Sequence, residues 1–114
     1  MATPSERIIS ANARAIVAKD IEGREFAVRR PDALDRLRLF KALGAELSLN
    51  TPYLGMALLA SAVTTIDGVP VPAPVTESQL EALVRRLGDS GIGAVADALN
   101  AAEREEPGNA DPGN

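Results

Sequence analysis

Histidine and cysteine carry most acid–base, nucleophilic and metal chemistry in proteins, and this 114-residue chain contains neither. Thiolate metal sites and nucleophiles, Ser-His-Asp arrangements and disulfides are therefore excluded, and zinc loses its commonest ligand. Carboxylates, arginines and glycine-rich turns are what remains. Glu77 and Glu81 stand one helical turn apart, the spacing of a carboxylate pair. Two-carboxylate hydrolysis needs the two groups in unlike environments, one with a raised pKa, and nothing around them supplies that split. Glu81 also precedes Arg85 by four residues, the favourable order for a helix ion pair, so a solvated helix face accounts for both. Gly88-Asp89-Ser90-Gly91-Ile92-Gly93 looks like a phosphate loop. It matches neither glycine-rich nucleotide motif and follows a helical pattern, not a strand; it reads as one helix stopping and another starting. Asp67 has no companion at metal-ligand spacing, so Ile66, Asp67 and Gly68 read as a structural turn. A binding protein without catalytic residues, cofactor or metal is the expectation.

The formal net charge is -4 and is unevenly spread. Residues 1–41 carry nine basic and six acidic side chains, residues 42–102 two and six, and residues 103–114 one and four. Arg29, Arg30, Arg36 and Arg38, with Lys41, form the basic cluster. It has no interleaved aromatics for base stacking and sits in an acidic chain, which argues against nucleic acid. The polarity suits head-to-tail association of copies instead, with Arg29, Arg30, Arg36 and Arg38 as the expected self-association residues. The apolar candidates for a partner surface are Leu39, Leu47, Leu49, Tyr53 and Leu54, which crowd one helix–helix corner and fit an amphipathic helix of another protein.

Positioning these residues requires a set of short elements. Residues 15–19 and 25–29 alternate as β-strands around 20–24, where Gly23 supplies a positive φ. Phe26 and Val28 point to one face. Asp32 caps a helix running to about Leu43, with Leu34, Leu37, Phe40 and Leu43 as its inner stripe, broadened by Leu39 beside it, and Gly44 as its stop. Residues 45–50 read as a connector. A helix over about 52–63, capped by Asn50 or Thr51 with Pro52 in its first turn, is apolar all round and must be buried or shared. The β-branched run before Asp67-Gly68 marks a hairpin whose second arm, broken by Pro70, Pro72 and Pro74, can only be an edge. Thr76-x-x-Gln79 is a capping box ahead of Leu80, Leu83, Val84 and Leu87. Gly88 ends that helix, and a last one carries Ile92, Val95, Ala96 and Leu99 inward.

The order of these motifs resembles a known family. A strand, Gly23-Arg24 and a second strand come first. Asp32-Ala-Leu-Asp-Arg-Leu-Arg-Leu-Phe-Lys-Ala-Leu-Gly44 and the apolar helix follow. Val63-Thr-Thr-Ile-Asp-Gly68 with Pro70 then precedes the closing helices. Over residues 15–100 this is similar to the small tail assembly chaperones of long-tailed bacteriophages and prophages. The resemblance implies a non-enzymatic protein of the host bacterial cytoplasm that coats the long helical tape-measure protein until tail-tube subunits displace it. A structural virion component, such as a head–tail connector or tail-completion protein, is the alternative.

The expected architecture is α+β: a small, mainly helical domain over residues 14–102, with about four helices and one or two short β-hairpins. Residues 1–13 read as a flexible arm and 103–114 as a disordered acidic tail. The start lacks the basic and apolar regions of a signal peptide, and the apolar stretch 53–63 falls short of the roughly 20 residues a membrane span needs. Neither a membrane nor a nucleic acid is expected as a partner; a long helical protein and a second copy of the chain are.

Overall fold

The computed structural model describes residues 16–105; the expected arm at 1–13 and the tail at 106–114 lie outside these. The fold is α+β, with three helices and one four-stranded antiparallel sheet of order β1-β2-β3-β4. The strands are β1 (Ile16–Lys19), β2 (Glu25–Val28), β3 (Val63–Ile66) and β4 (Val69–Pro70). The helices are α1 (Ala33–Ser48), α2 (Thr51–Ser61) and α3 (Glu77–Glu105).

The two hairpins read from the sequence join into one sheet, because β2 pairs with β3 across the intervening α1 and α2. Phe26 lies opposite Ile66 and Val28 opposite Val63, with an irregularity between Ala27 and Val28. Phe26 and Val28 are buried by period-two alternation, and the irregularity brings Val63 and Ile66, three residues apart, onto the same buried face of the sheet. Asp67 (φ 50°) and Gly68 (φ 82°) form the two-residue turn between β3 and β4, the paired positive φ values of a tight hairpin whose twist matches its strands. Asp67 also bridges back to β2: its Oδ1 accepts from the Glu25 N–H at 2.9 Å, and its own N–H donates to the Glu25 carbonyl at 2.7 Å. β4 is a two-residue edge ending at Pro70.

Several boundaries differ from the sequence reading. Helix α2 stops at Ser61, since Val63 enters β3 and the Ala62 carbonyl accepts from the Arg29 N–H at 2.8 Å. Gly44 and Gly88 break the helical backbone where the sequence places helix ends, but helical turns resume directly beyond each, which makes three helical elements where about four were expected. Both glycines hold left-handed φ (85° and 68°), a conformation side chains with a Cβ resist. Beyond Gly44 the chain resumes helical turns through Ser48, carrying Leu47 against the core. The last helix likewise extends to Glu105, three residues into the segment read as a disordered tail.

At Gly88 the helix is held by residues of the first hairpin. Asp20 Oδ1 accepts from the N–H groups of Glu22 (3.0 Å) and Arg24 (2.9 Å), folding the 20–24 loop on itself. Its Oδ2 takes the Arg24 guanidinium, with Nη2 at 2.7 Å and Nε at 2.8 Å, and the Ser90 hydroxyl at 3.2 Å. Arg24 then donates onward to the carbonyls of Arg86 (2.8 Å) and Leu87 (2.7 Å), the acceptors freed by the kink. Its guanidinium lies 5.3 Å from the Phe26 ring centroid. The Asp20 side chain is fully shielded from solvent. Burial by itself raises its pKa, but the Arg24 N–H, the guanidinium and the Ser90 hydroxyl outweigh that and hold it below the ordinary 3.8. Asp35 is shifted the same way: burial raises it, and the Asp32 N–H and the Arg29 guanidinium lower it further than that.

The helix starts follow local chemistry. Asp32 and Asp35 form a reciprocal capping box on α1, and the Asn50 side chain caps α2. At α3 the expected box is modified: Thr76 Oγ1 accepts from the Gln79 N–H at 3.1 Å, while Gln79 Oε1 takes the N–H of Val75 at 2.9 Å, not that of Thr76.

Two outcomes are expected. Phe26→Ala, at the centre of the core, should lower the unfolding free energy by about 3–5 kcal/mol, whereas Leu37→Ala, exposed on α1, should change it by less than about 0.5 kcal/mol; urea unfolding of both variants measures the contrast. Asp20 and Asp35 have depressed folded pKa values, so their stabilisation is complete above 3.8 and is lost as pH falls through the folded values. Asp20→Asn should flatten part of that acid-side decline in unfolding midpoint, leaving the share due to Asp35.

Candidate protein-binding surface

Helix α1 presents the largest departure from the sequence reading. Leu39 (4% exposed) and Leu43 face the core, while Leu34 (50%), Leu37 (63%) and Phe40 (38%) face solvent. The geometry of the helix explains the reversal. Each step of three residues rotates a side chain by about 60° against the helix, so Leu34 and Leu43 end on opposite sides. Leu39 and Leu43, spaced by four, share a face and pack inward. Leu34, Leu37 and Phe40 are left as an outward apolar stripe.

Basic side chains border this stripe. Arg38 and Lys41 lie beside Leu34 and Leu37 at helical spacing and are exposed. Arg36 is exposed on the opposite flank, with Nη1 on the Pro31 carbonyl at 3.1 Å. Arg29, one of the expected self-association residues, is paired within the chain. It contacts Asp35 at 2.9 Å and Asp32 at 3.8 Å, at the start of α1. Arg30 is exposed at the same end.

The expected partner patch of Leu39, Leu47, Leu49, Tyr53 and Leu54 does not form one surface. Leu39 is core, and Leu47, Tyr53 and Leu54 are partly buried against it. Leu49, at 84%, is exposed after the end of α1. Helices α1 and α2 use this corner to pack on each other and close most of it. Tyr53 nevertheless belongs to a second apolar feature, a shallow groove of about 200 Å³ between α2 and α3, lined by Tyr53, Met56, Ala57, Leu80 and Val84. Met56 is exposed there and played no part in the sequence reading.

Glu81 holds the rim of this groove. The Tyr53 hydroxyl donates to its Oε2 at 2.8 Å. Tyr53 takes the place of Arg85, the helix ion-pair partner expected for Glu81, and among the described residues no Glu81–Arg85 ion pair forms. Glu77 lies one turn before Glu81 on the same flank of α3. Burial, the hydrogen bond to Glu81 and the charges of Glu81 and Glu77 push the Tyr53 hydroxyl up to about 12. The groove is thus apolar within and acidic along its α3 rim.

Among the described residues, no cluster of three or more acidic groups is arranged to hold a metal ion, and no helix is long and apolar enough to cross a membrane. Ile66, Asp67 and Gly68 occupy the β3–β4 turn, far in role from either apolar surface. Comparison with known protein families, curated proteins and solved structures finds no match. The chain's own surfaces therefore carry the functional argument.

What would have revealed the exposed stripe in the sequence is the competition on α1 between an i, i+3 series and an i, i+4 pair. The i, i+4 pair stays within about 40° of one face, whereas the series drifts about 60° at every step.

Tyr53 is the chain's single tyrosine, which makes the rim directly measurable. Its tyrosinate absorbance should titrate near pH 12. In Glu81→Gln the midpoint should fall part-way toward 10, since burial, the larger cause, remains. The raised folded value also means that the stabilisation is present below pH 10 and is lost as pH rises through the folded pKa.

Proposed function

We propose that this chain is a small tail assembly chaperone of a long-tailed bacteriophage or prophage, which binds the helical tape-measure protein and keeps it soluble before the tail tube forms. The observation that carries the binding role is the outward stripe of Leu34, Leu37 and Phe40 on α1. Three apolar side chains on consecutive turns of an exposed helix, bordered by Arg36, Arg38 and Lys41, suit packing along an amphipathic helix with acidic flanks. The client is the one implied by the resemblance in motif order over residues 15–100.

The mechanism is masking without chemistry. Each copy covers a short length of the client's apolar face and releases it when tail-tube subunits offer a larger surface. A single stripe binds weakly. Many copies on one long client hold it firmly, because neighbouring sites on one chain are reached at high effective concentration. Neither step needs a histidine or cysteine, and the chain has none.

Co-expression with the long helical protein of the same tail gene cluster tests the reading. The expected result is a soluble client that co-purifies with this chain, and a loss of at least about tenfold in recovery with Leu37→Glu, which places a charge in the middle of the stripe. An insoluble client, or equal recovery with Leu37→Glu, overturns it. Presence of the chain in purified particles would indicate a structural virion component in its place.

A further inference from the structure

The groove between α2 and α3 is unlike on its two sides. Helix α2 contributes Tyr53, Met56 and Ala57 and carries no charged residue anywhere along its length. Helix α3 contributes Leu80 and Val84, with Glu77 and Glu81 exposed along the same flank. Arg85 stands one turn after Glu81, so the acidic stretch is two turns long. We infer that this groove is a docking site for an amphipathic helix of another protein, one that carries lysine or arginine along a single flank.

Each part of that description has its own cause. The floor is apolar, so the occupant must be apolar where it meets Met56, Leu80 and Val84. An apolar cavity of about 150 Å³ accepts benzene, and the groove offers about 200 Å³, room for one large anchoring side chain. Met56 is exposed and unbranched, and adapts to anchors of different shape. The α3 rim favours cations at two successive turns of the occupant, and the uncharged α2 side asks for none. Glu81 already accepts from the Tyr53 hydroxyl through Oε2. A carboxylate has about four acceptor sites, so that contact leaves capacity for an incoming ammonium or guanidinium group.

The α1 stripe selects the opposite charge. Its basic neighbours Arg36, Arg38 and Lys41 suit acidic flanks. The two surfaces therefore separate helices that are alike in apolar content and differ only in the sign of their flanks. Binding in the groove is weak, because one anchor and a shallow floor bury little area, and its electrostatic part fades with salt. The inference goes beyond the chaperone role and needs neither the α1 stripe nor the identity of its client.

Tyrosine emission of the full chain at low salt tests this without a label, because Tyr53 is the single tyrosine and there is no tryptophan. The probes are two synthetic helices with one leucine face in common and no tyrosine or tryptophan. One has a lysine flank and the other a glutamate flank. The lysine-flanked helix should change Tyr53 emission saturably, and the glutamate-flanked helix should bind about tenfold or more weakly. E77K/E81K should reverse that order. Met56→Gln, which makes the floor polar and leaves the rim charges in place, should weaken the lysine-flanked helix about fivefold. It provides the reading if the charge reversal fails to fold. Emission that stays constant up to about 1 mM of the lysine-flanked helix, equal binding of the two helices, or binding unaltered by Met56→Gln would each overturn the inference. Emission that changes instead with the concentration of the chain alone would give the groove to a second copy, and overturns it too. No tape-measure protein enters this titration, so failure here is distinguishable from failure of the chaperone role.

Discussion

A carboxylate removed from water must be met on every side, and the way Asp20 is met determines how the helices lie on the sheet. Its two oxygens accept from the backbone of its own loop, the Arg24 guanidinium and the Ser90 hydroxyl. Arg24 is pinned in turn and reaches the carbonyls that the helix leaves open ahead of Gly88. One ion pair thus joins the first hairpin to the middle of a helix more than sixty residues away in the chain. Losing either partner leaves the other buried or poorly satisfied, the situation in which broken ion pairs cost most. The two segments of α3 on either side of Gly88 take their positions from this clamp, and so does the α3 wall of the groove.

The packing of α1 follows from the same economy of space. α1 packs on α2, which receives only one face of it, and Leu39 with Leu43 fills that face. The remaining leucines and Phe40 gain nothing from the fold. A helix that keeps three apolar side chains in water while its neighbours are well packed points to a second occupant for that surface.

Elements controlled by neighbouring residues were legible in the sequence. Gly23, Asp32, Asn50, Pro52, Thr76 and the Asp67-Gly68 turn act over four residues or fewer, and each sits where its local chemistry puts it. Features that depend on distant residues were not. The β2–β3 pairing joins residues separated by two helices, and no local signal sets its register. The Asp20–Arg24 clamp resembles an ordinary loop ion pair until α3 is laid over it. Leu43 and Leu39 are core as the sequence suggests, but Leu34, Leu37 and Phe40 are not, because a helix with apolar residues on more than one side does not state which side meets the core. That choice is made by the way α1 lies on α2. Gly44 and Gly88 were correctly placed as departures from helical backbone, but whether the chain turns away or resumes depends on what receives the freed carbonyls.

The edge of the sheet at β4 has a further consequence. Pro70 has no N–H to offer, and Pro72 and Pro74 follow within four residues. A strand from another molecule arriving at this margin would find its ladder interrupted at once. A protein that must display apolar side chains at high local concentration runs the hazard of cross-β aggregation, which spreads by main-chain pairing and tolerates almost any side chain. Prolines at the β4 margin close that route there, so contact on this side falls to side-chain surfaces, whose shape and charge discriminate between partners and which separate again when a better one arrives.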